Sequence, residues 1–138
     1  MGTRHVVFDD ALKFWEGEAA GTFTVAAHYS ATLDLGVGPD LVNPPEIWID
    51  WPGLDSAGAA TFTLSILTGA ATAPTTVIWT SRVYTLAEAQ AYFDTNETYR
   101  LPLPVSDLTG RYIRLNMAVG TAVVSAGTLT AALGSPLR

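Results

Sequence analysis

Apolar and polar residues alternate with a period of two along much of the chain, the signature of strands that bury one face. The run from Thr22 to Tyr29 sets Phe23, Val25 and Ala27 against Thr22, Thr24 and Ala26 and predicts a strand, with a short one following over Ala31–Leu35. Gly36, Gly38, Pro39, Pro44 and Pro45 then predict a loop, because glycine costs chain entropy and proline offers no amide donor. Glu46–Trp51 alternates again, with Ile47, Ile49 and Trp51 on one face, and Pro52-Gly53 closes it as a turn. The cleanest alternation is Ala60–Thr68, with Phe62, Leu64 and Ile66 on a single face. Thr76–Val83 predicts a strand whose faces are less sharply sorted, Val77, Trp79 and Ser81 opposing Ile78, Thr80 and Arg82. Thr85-Leu-Ala-Glu88 matches a capping box and predicts a short helix to about Phe93, with Leu86, Ala89 and Phe93 on its inner face. Tyr99–Leu103 predicts a strand that Pro102 and Pro104 limit to an edge or an irregular end. Arg111–Val119 directs Ile113, Leu115, Met117 and Val119 inward, and after a hairpin-like connection Thr128–Leu133 returns with Leu129, Ala131 and Leu133 inward.

Strands at this spacing, without strand–helix–strand alternation, predict an all-β fold: an antiparallel β-sandwich, with a jelly roll as leading topology and at most one short helix, about 85–93. Nothing divides the chain, so residues 1–138 read as a single domain with a β-sandwich body over 22–138. Residues 1–21 show no strand alternation yet carry Val6, Val7, Phe8, Leu12, Phe14 and Trp15, too much apolar surface to leave in water. The segment either packs on its own sandwich or acts as an N-terminal arm docked on another copy or a partner.

At 138 residues and 14.6 kDa the chain can bury about two-thirds of its unfolded surface, so a core is attainable without staples. The absence of cysteine excludes disulfides, thiolate metal sites and a cysteine nucleophile. One lysine, six arginines and a net charge of −6 argue against a nucleic-acid partner or an anionic membrane surface. No signal-peptide pattern precedes Asp9-Asp10, and no run of about 18 uncharged apolar residues occurs to cross a membrane.

Little in the chain points to catalysis. Asp9-Asp10 reads as an exposed turn, since adjacent extended residues point oppositely. His5 and His28 have no nucleophile elbow to serve, and Asp50, Asp55 and the loop Asp34–Asp40 lack the spacing of a calcium loop. No catalytic residue, metal ligand or cofactor is therefore assigned. Trp48 and Trp51 are more informative: three residues apart on a strand, they lie on opposite faces, so one should face outward. An outward tryptophan would stack a sugar or anchor a protein partner, unless it lies beneath a loop. Together with the aromatic residues near the start, this makes Phe8, Phe14, Trp15, Trp48 and Trp51 the candidate partner-interface residues.

From Asp34 onward the order of motifs resembles the jelly-roll cement, or capsid decoration, proteins of short-tailed bacteriophages. The resemblance runs through Asp34-Leu35-Gly36, the segments 57–68 (AGAATFTLSILT), 100–104 (RLPLP), 110–120 (GRYIRLNMAVG) and 125–133 (SAGTLTAAL), about 100 residues in all. It implies a non-enzymatic virion protein on the outer surface of the phage head, assembled in the host cytoplasm and bridging major capsid subunits as a homo-oligomer, dimer or trimer. The composition is compatible, because an external shell protein needs neither DNA-binding charge nor cofactor. The alternative is a carbohydrate-binding β-sandwich module using Trp48 or Trp51 as a platform; a β-sandwich hydrolase is a distant third.

Overall fold

In a computed structural model, the structure describes residues 12–35 and 45–134. Strands β1 (Lys13–Ala19), β2 (Ala27–Tyr29), β3 (Leu33–Asp34), β4 (Glu46–Asp50), β5 (Asp55–Ser56), β6 (Thr61–Gly69), β7 (Thr76–Thr80) and β8 (Tyr84–Thr85) precede helix α1 (Leu86–Phe93). Strands β9 (Tyr99–Pro102), β10 (Tyr112–Gly120), β11 (Val124–Ala126) and β12 (Thr128–Gly134) follow it. The protein is an all-β sandwich. One sheet has the order β1-β12-β4-β9 and the other β2-β10-β6-β7, with β3 beside β10, β8 beside β6, and β5 with β11 in a small ribbon.

The eight main strands are β1, β2, β4, β6, β7, β9, β10 and β12. Counted along the chain, the first pairs with the last, the second with the seventh, the third with the sixth and the fourth with the fifth, every pair antiparallel. The chain is thus a set of nested hairpins, successive pairs falling alternately into the two sheets.

The core lies between the sheets and is filled by the alternating faces read from the sequence. Phe62, Leu64 and Ile66 of β6, Ile113, Leu115, Met117 and Val119 of β10, Ile47 and Ile49 of β4, and Leu129, Ala131 and Leu133 of β12 are all buried. Helix α1 starts at the capping box: Thr85 Oγ1 accepts from the Glu88 amide at 3.2 Å, and Glu88 Oε1 accepts from the Thr85 amide at 3.0 Å. Ala89 and Phe93 are buried, while Leu86 packs partly buried against the same cluster. As its prolines predicted, β9 is an edge strand.

The structure decides or changes three expectations. First, of the two alternatives for residues 1–21, residues 13–19 meet the first, forming a strand that packs on the sandwich, so the sandwich body begins before residue 22; β1 hides from a period-two reading because its pairing with β12 slips between Lys13 and Trp15 and again between Trp15 and Glu18. Those bulges turn the neighbouring side chains Phe14 and Trp15 both inward, and Gly17 takes a left-handed φ of 57° that suits glycine. Second, Thr22–Tyr29 is not one strand: only Ala27–Tyr29 pairs, Phe23 is fully buried, and Val25 is 52% exposed. Here the backbone makes a short 3-10 turn at Ala20–Thr22, and Phe23 enters the core from it. Third, the strand expected over Thr76–Val83 ends at Thr80, and a separate short strand, β8, starts only at Tyr84. The pairing is continued at Ser81, whose amide donates to Leu64 O while its Oγ accepts from the Leu64 amide.

Candidate interaction surfaces

Of the residues proposed as anchors, Phe14, Trp15 and Trp51 serve the interior. Phe8 lies outside the described residues. Phe14 and Trp15 point into the sandwich, and Trp15 meets the Phe23 ring edge-on at 6.0 Å. Trp51 is completely buried between Phe23 and Phe62, with ring centroids at 5.0 and 5.6 Å.

Trp48 lies on the outer face of its sheet, as alternation requires, yet it is only 6% exposed. Its ring lies on Gly134, where a Cβ would come 2.5 Å from Cζ3. Its Nε1 donates to Glu46 Oε1 at 3.1 Å, and the Arg100 guanidinium lies 5.4 Å from the ring centre. The expectation of an exposed tryptophan is therefore corrected: β4 is buried on both faces. Neither tryptophan offers a ring face for a sugar or a partner in this conformation.

The exposed chemistry is a set of arginine–aromatic contacts. Every arginine among the described residues lies over an aromatic ring: Arg82 over Tyr84, Arg100 over Trp48, Arg111 over Tyr112 and Arg114 over Tyr29. On the outer face of the β2-β10-β6-β7 sheet, Arg114 stacks 4.1 Å from the Tyr29 centroid while its Nε donates to Pro74 O at 2.9 Å. At the end of the same strand Arg111 grips Asp34 with two hydrogen bonds, Nε to Oδ1 at 2.8 Å and Nη2 to Oδ2 at 2.6 Å. That carboxylate, and then Tyr112, hold the Arg111 guanidinium above its ordinary pKa. The pairs Arg111-Tyr112 and Arg82-Val-Tyr84 can be read locally; Arg114 with Tyr29 cannot, because β2 and β10 meet only in the fold.

A second cluster surrounds α1. Tyr84, Tyr92, Phe93 and Tyr99 form a continuous set of ring contacts. Arg82 Nη2 bonds Glu88 Oε2 at 2.7 Å. Hydrogen bonding to Arg82, and then to the Thr85 backbone, lowers the Glu88 carboxyl from 4.5 to about 2. Burial, and then its interactions with Tyr84, raise the Tyr99 hydroxyl.

Two shallow concavities accompany these surfaces. One, of about 450 Å³, opens between β1 and β2 and is bordered by Trp15, Glu18, His28 and Tyr29. The other, about 370 Å³, lies after α1 among Tyr92, Asn96, Glu97 and Arg100. His28 Nε2 is engaged by Thr24 O at 2.7 Å, which closes the local loop. The carboxylates weighed for calcium are apart: Asp34 is held by Arg111, Asp50 is buried and accepts from Thr98, Asp55 caps the Ser56 amide, and Asp40 lies outside the described residues. Among the described residues no three histidine or carboxylate side chains gather where they could hold a metal ion, and no helix is long and apolar enough to cross a membrane. No protein-family model and no curated protein matches this chain.

Proposed function

We propose that the chain is a jelly-roll capsid cement protein, binding the outside of a bacteriophage head and bridging neighbouring major capsid subunits. The nested strand order is the observation that supports the reading: antiparallel pairs alternating between two sheets are the order expected of a jelly roll. The segments resembling the cement family supply framework strands, 57–68 most of β6, 100–104 most of β9, 110–120 all of β10 and 125–133 most of β12. With the large apolar side chains committed to the core, binding would rest on broad polar and arginine–aromatic surfaces repeated over a lattice. Such contacts are individually weak, and they become strong when one oligomer holds several subunits at once, because each further contact forms at high effective concentration.

The test is heat-driven DNA release from phage heads purified with and without the protein. Heads lacking it should release DNA at a lower temperature, and adding back the purified chain should restore the higher one. Equal release temperatures would falsify the cement reading.

A further inference from the structure

The four strands at the sheet margins differ in how they are protected. An edge strand presents unpaired amides and carbonyls, and proteins blunt it with charge, proline, bulges, shortness or cover. Strand β1 carries Lys13, Glu16 and Glu18 and two bulges. Strand β9 carries Arg100 and Pro102. Strand β2 is three residues long, and the chain just beyond it is tied to the opposite sheet by the Ala31 amide donating to Phe14 O at 3.0 Å.

The fourth, β7, has the sequence Thr-Val-Ile-Trp-Thr, with no charge and no proline. Its one irregularity is the extra residue Ile78, which falls between the pairs Leu67–Val77 and Ile66–Trp79. Among the described residues only β6 pairs with it. Val77 is 54% exposed, Val83 just beyond is 59% exposed, and Thr76 and Thr80 are exposed as well. From Ser56 to Ser81 the chain has no Asp, Glu, Lys, Arg or His, although the whole carries a net charge of −6.

We infer that β7 is a self-association edge: two copies pair β7 with β7 antiparallel about a two-fold axis and join their six-stranded sheets into one. Charge selects the occupant. Two like-charged copies repel wherever carboxylates face each other, and the β6–β7 hairpin offers them an uncharged meeting place. Antiparallel pairing of a strand with its own copy is isologous, so it closes at two and leaves no free β7 edge for a third copy. Five residues span about 17 Å of edge, a contact at the small end of the interface range, so the dimer should be a modest one in solution. This deepens the homo-oligomer part of the proposed function, and its test needs no capsid, so the two can fail separately.

The experiment is sedimentation equilibrium of the purified chain up to about 100 μM, well above the micromolar Kd typical of small interfaces, beside Val77→Lys, Thr80→Lys and the uncharged control Val77→Thr. The wild type and Val77→Thr should be dimers in this range, with amide exchange at residues 75–81 slowing as concentration rises. Each lysine variant should be a monomer with an unchanged circular dichroism spectrum and Tm under dilute conditions, since both positions are exposed. A wild type that stays monomeric, forms a trimer, or remains dimeric with both lysines overturns the inference. So does a monomer whose Val77→Lys variant loses only its binding to phage heads, which would give the edge to the capsid.

Discussion

Trp51 concentrates at one position what the core demands and what it leaves unmet. Its ring is enclosed by Phe23 and Phe62, yet its Nε1 is buried without a hydrogen-bond partner. A buried unpaired donor costs about 1–3 kcal/mol, whereas emptying a large aromatic site costs about 3–5 kcal/mol. Trp51→Phe should therefore destabilise far less than Trp51→Ala, because phenylalanine removes the donor while keeping most of the ring contact; urea unfolding of both variants gives the comparison. Equal losses would mean that ring contact with Phe23 and Phe62 is not what the site contributes. Trp48 shows the limit of the sequence at this scale. Alternation assigns its face correctly, but what covers it is the Arg100 side chain of β9 and the bare backbone of Gly134 in β12, strands that join β4 only through pairing. Period two tells which way a residue points and is silent on what lies over it.

Elements with unbroken alternation were legible from their residues: β6 and β10 pair in register over nine residues each, and their apolar faces are those read from the chain. Bulged and turned elements were not. The slips of β1 and the extra Ile78 of β7 shift the period within a few residues, and the Phe23 turn imitates alternation without making a strand. The exposed arginine–aromatic contacts were legible only where both partners were near neighbours, as in Arg111-Tyr112. Helix α1 was legible through chemistry instead of period, since the capping box fixes its start. Thr85→Ala should cost about 0.5–2 kcal/mol by chemical denaturation at neutral pH, the usual loss for an N-cap hydroxyl. The Glu88 carboxyl adds a pH signature: its pKa is depressed in the fold, so its contribution is present above 4.5 and fades as pH falls towards about 2. Because the Arg82–Glu88 pair is solvent-exposed, Glu88→Gln should produce a shallow change confined to that acid window; a change near pH 7 would place another group in control.

At the scale of the whole molecule, nested winding makes the outermost pair the most remote in sequence, with Lys13 opposite Ala132 and Ala19 opposite Thr128. Closing this pair completes the β1-β12-β4-β9 sheet and covers the core beside Phe23, so β1 is a long-range element of the sandwich and not an accessory. Phe14 and Trp15 are 2% and 5% exposed, and burying two such side chains is worth about 3–6 kcal/mol. Domains of this kind have a net stability of about 5–15 kcal/mol, so losing β1 would take a large share of it. Deleting residues 1–16 should therefore give a chain that aggregates or melts far below the full-length protein, and the double variant Phe14→Ala, Trp15→Ala should lower Tm in the same direction without shortening the chain. The point variant separates the two effects of deletion: if truncation destabilises but Phe14→Ala, Trp15→Ala does not, the backbone pairing of β1 with β12 matters and its side chains do not. A truncated protein that keeps its Tm within a few degrees would mean that the sandwich stands without its first strand.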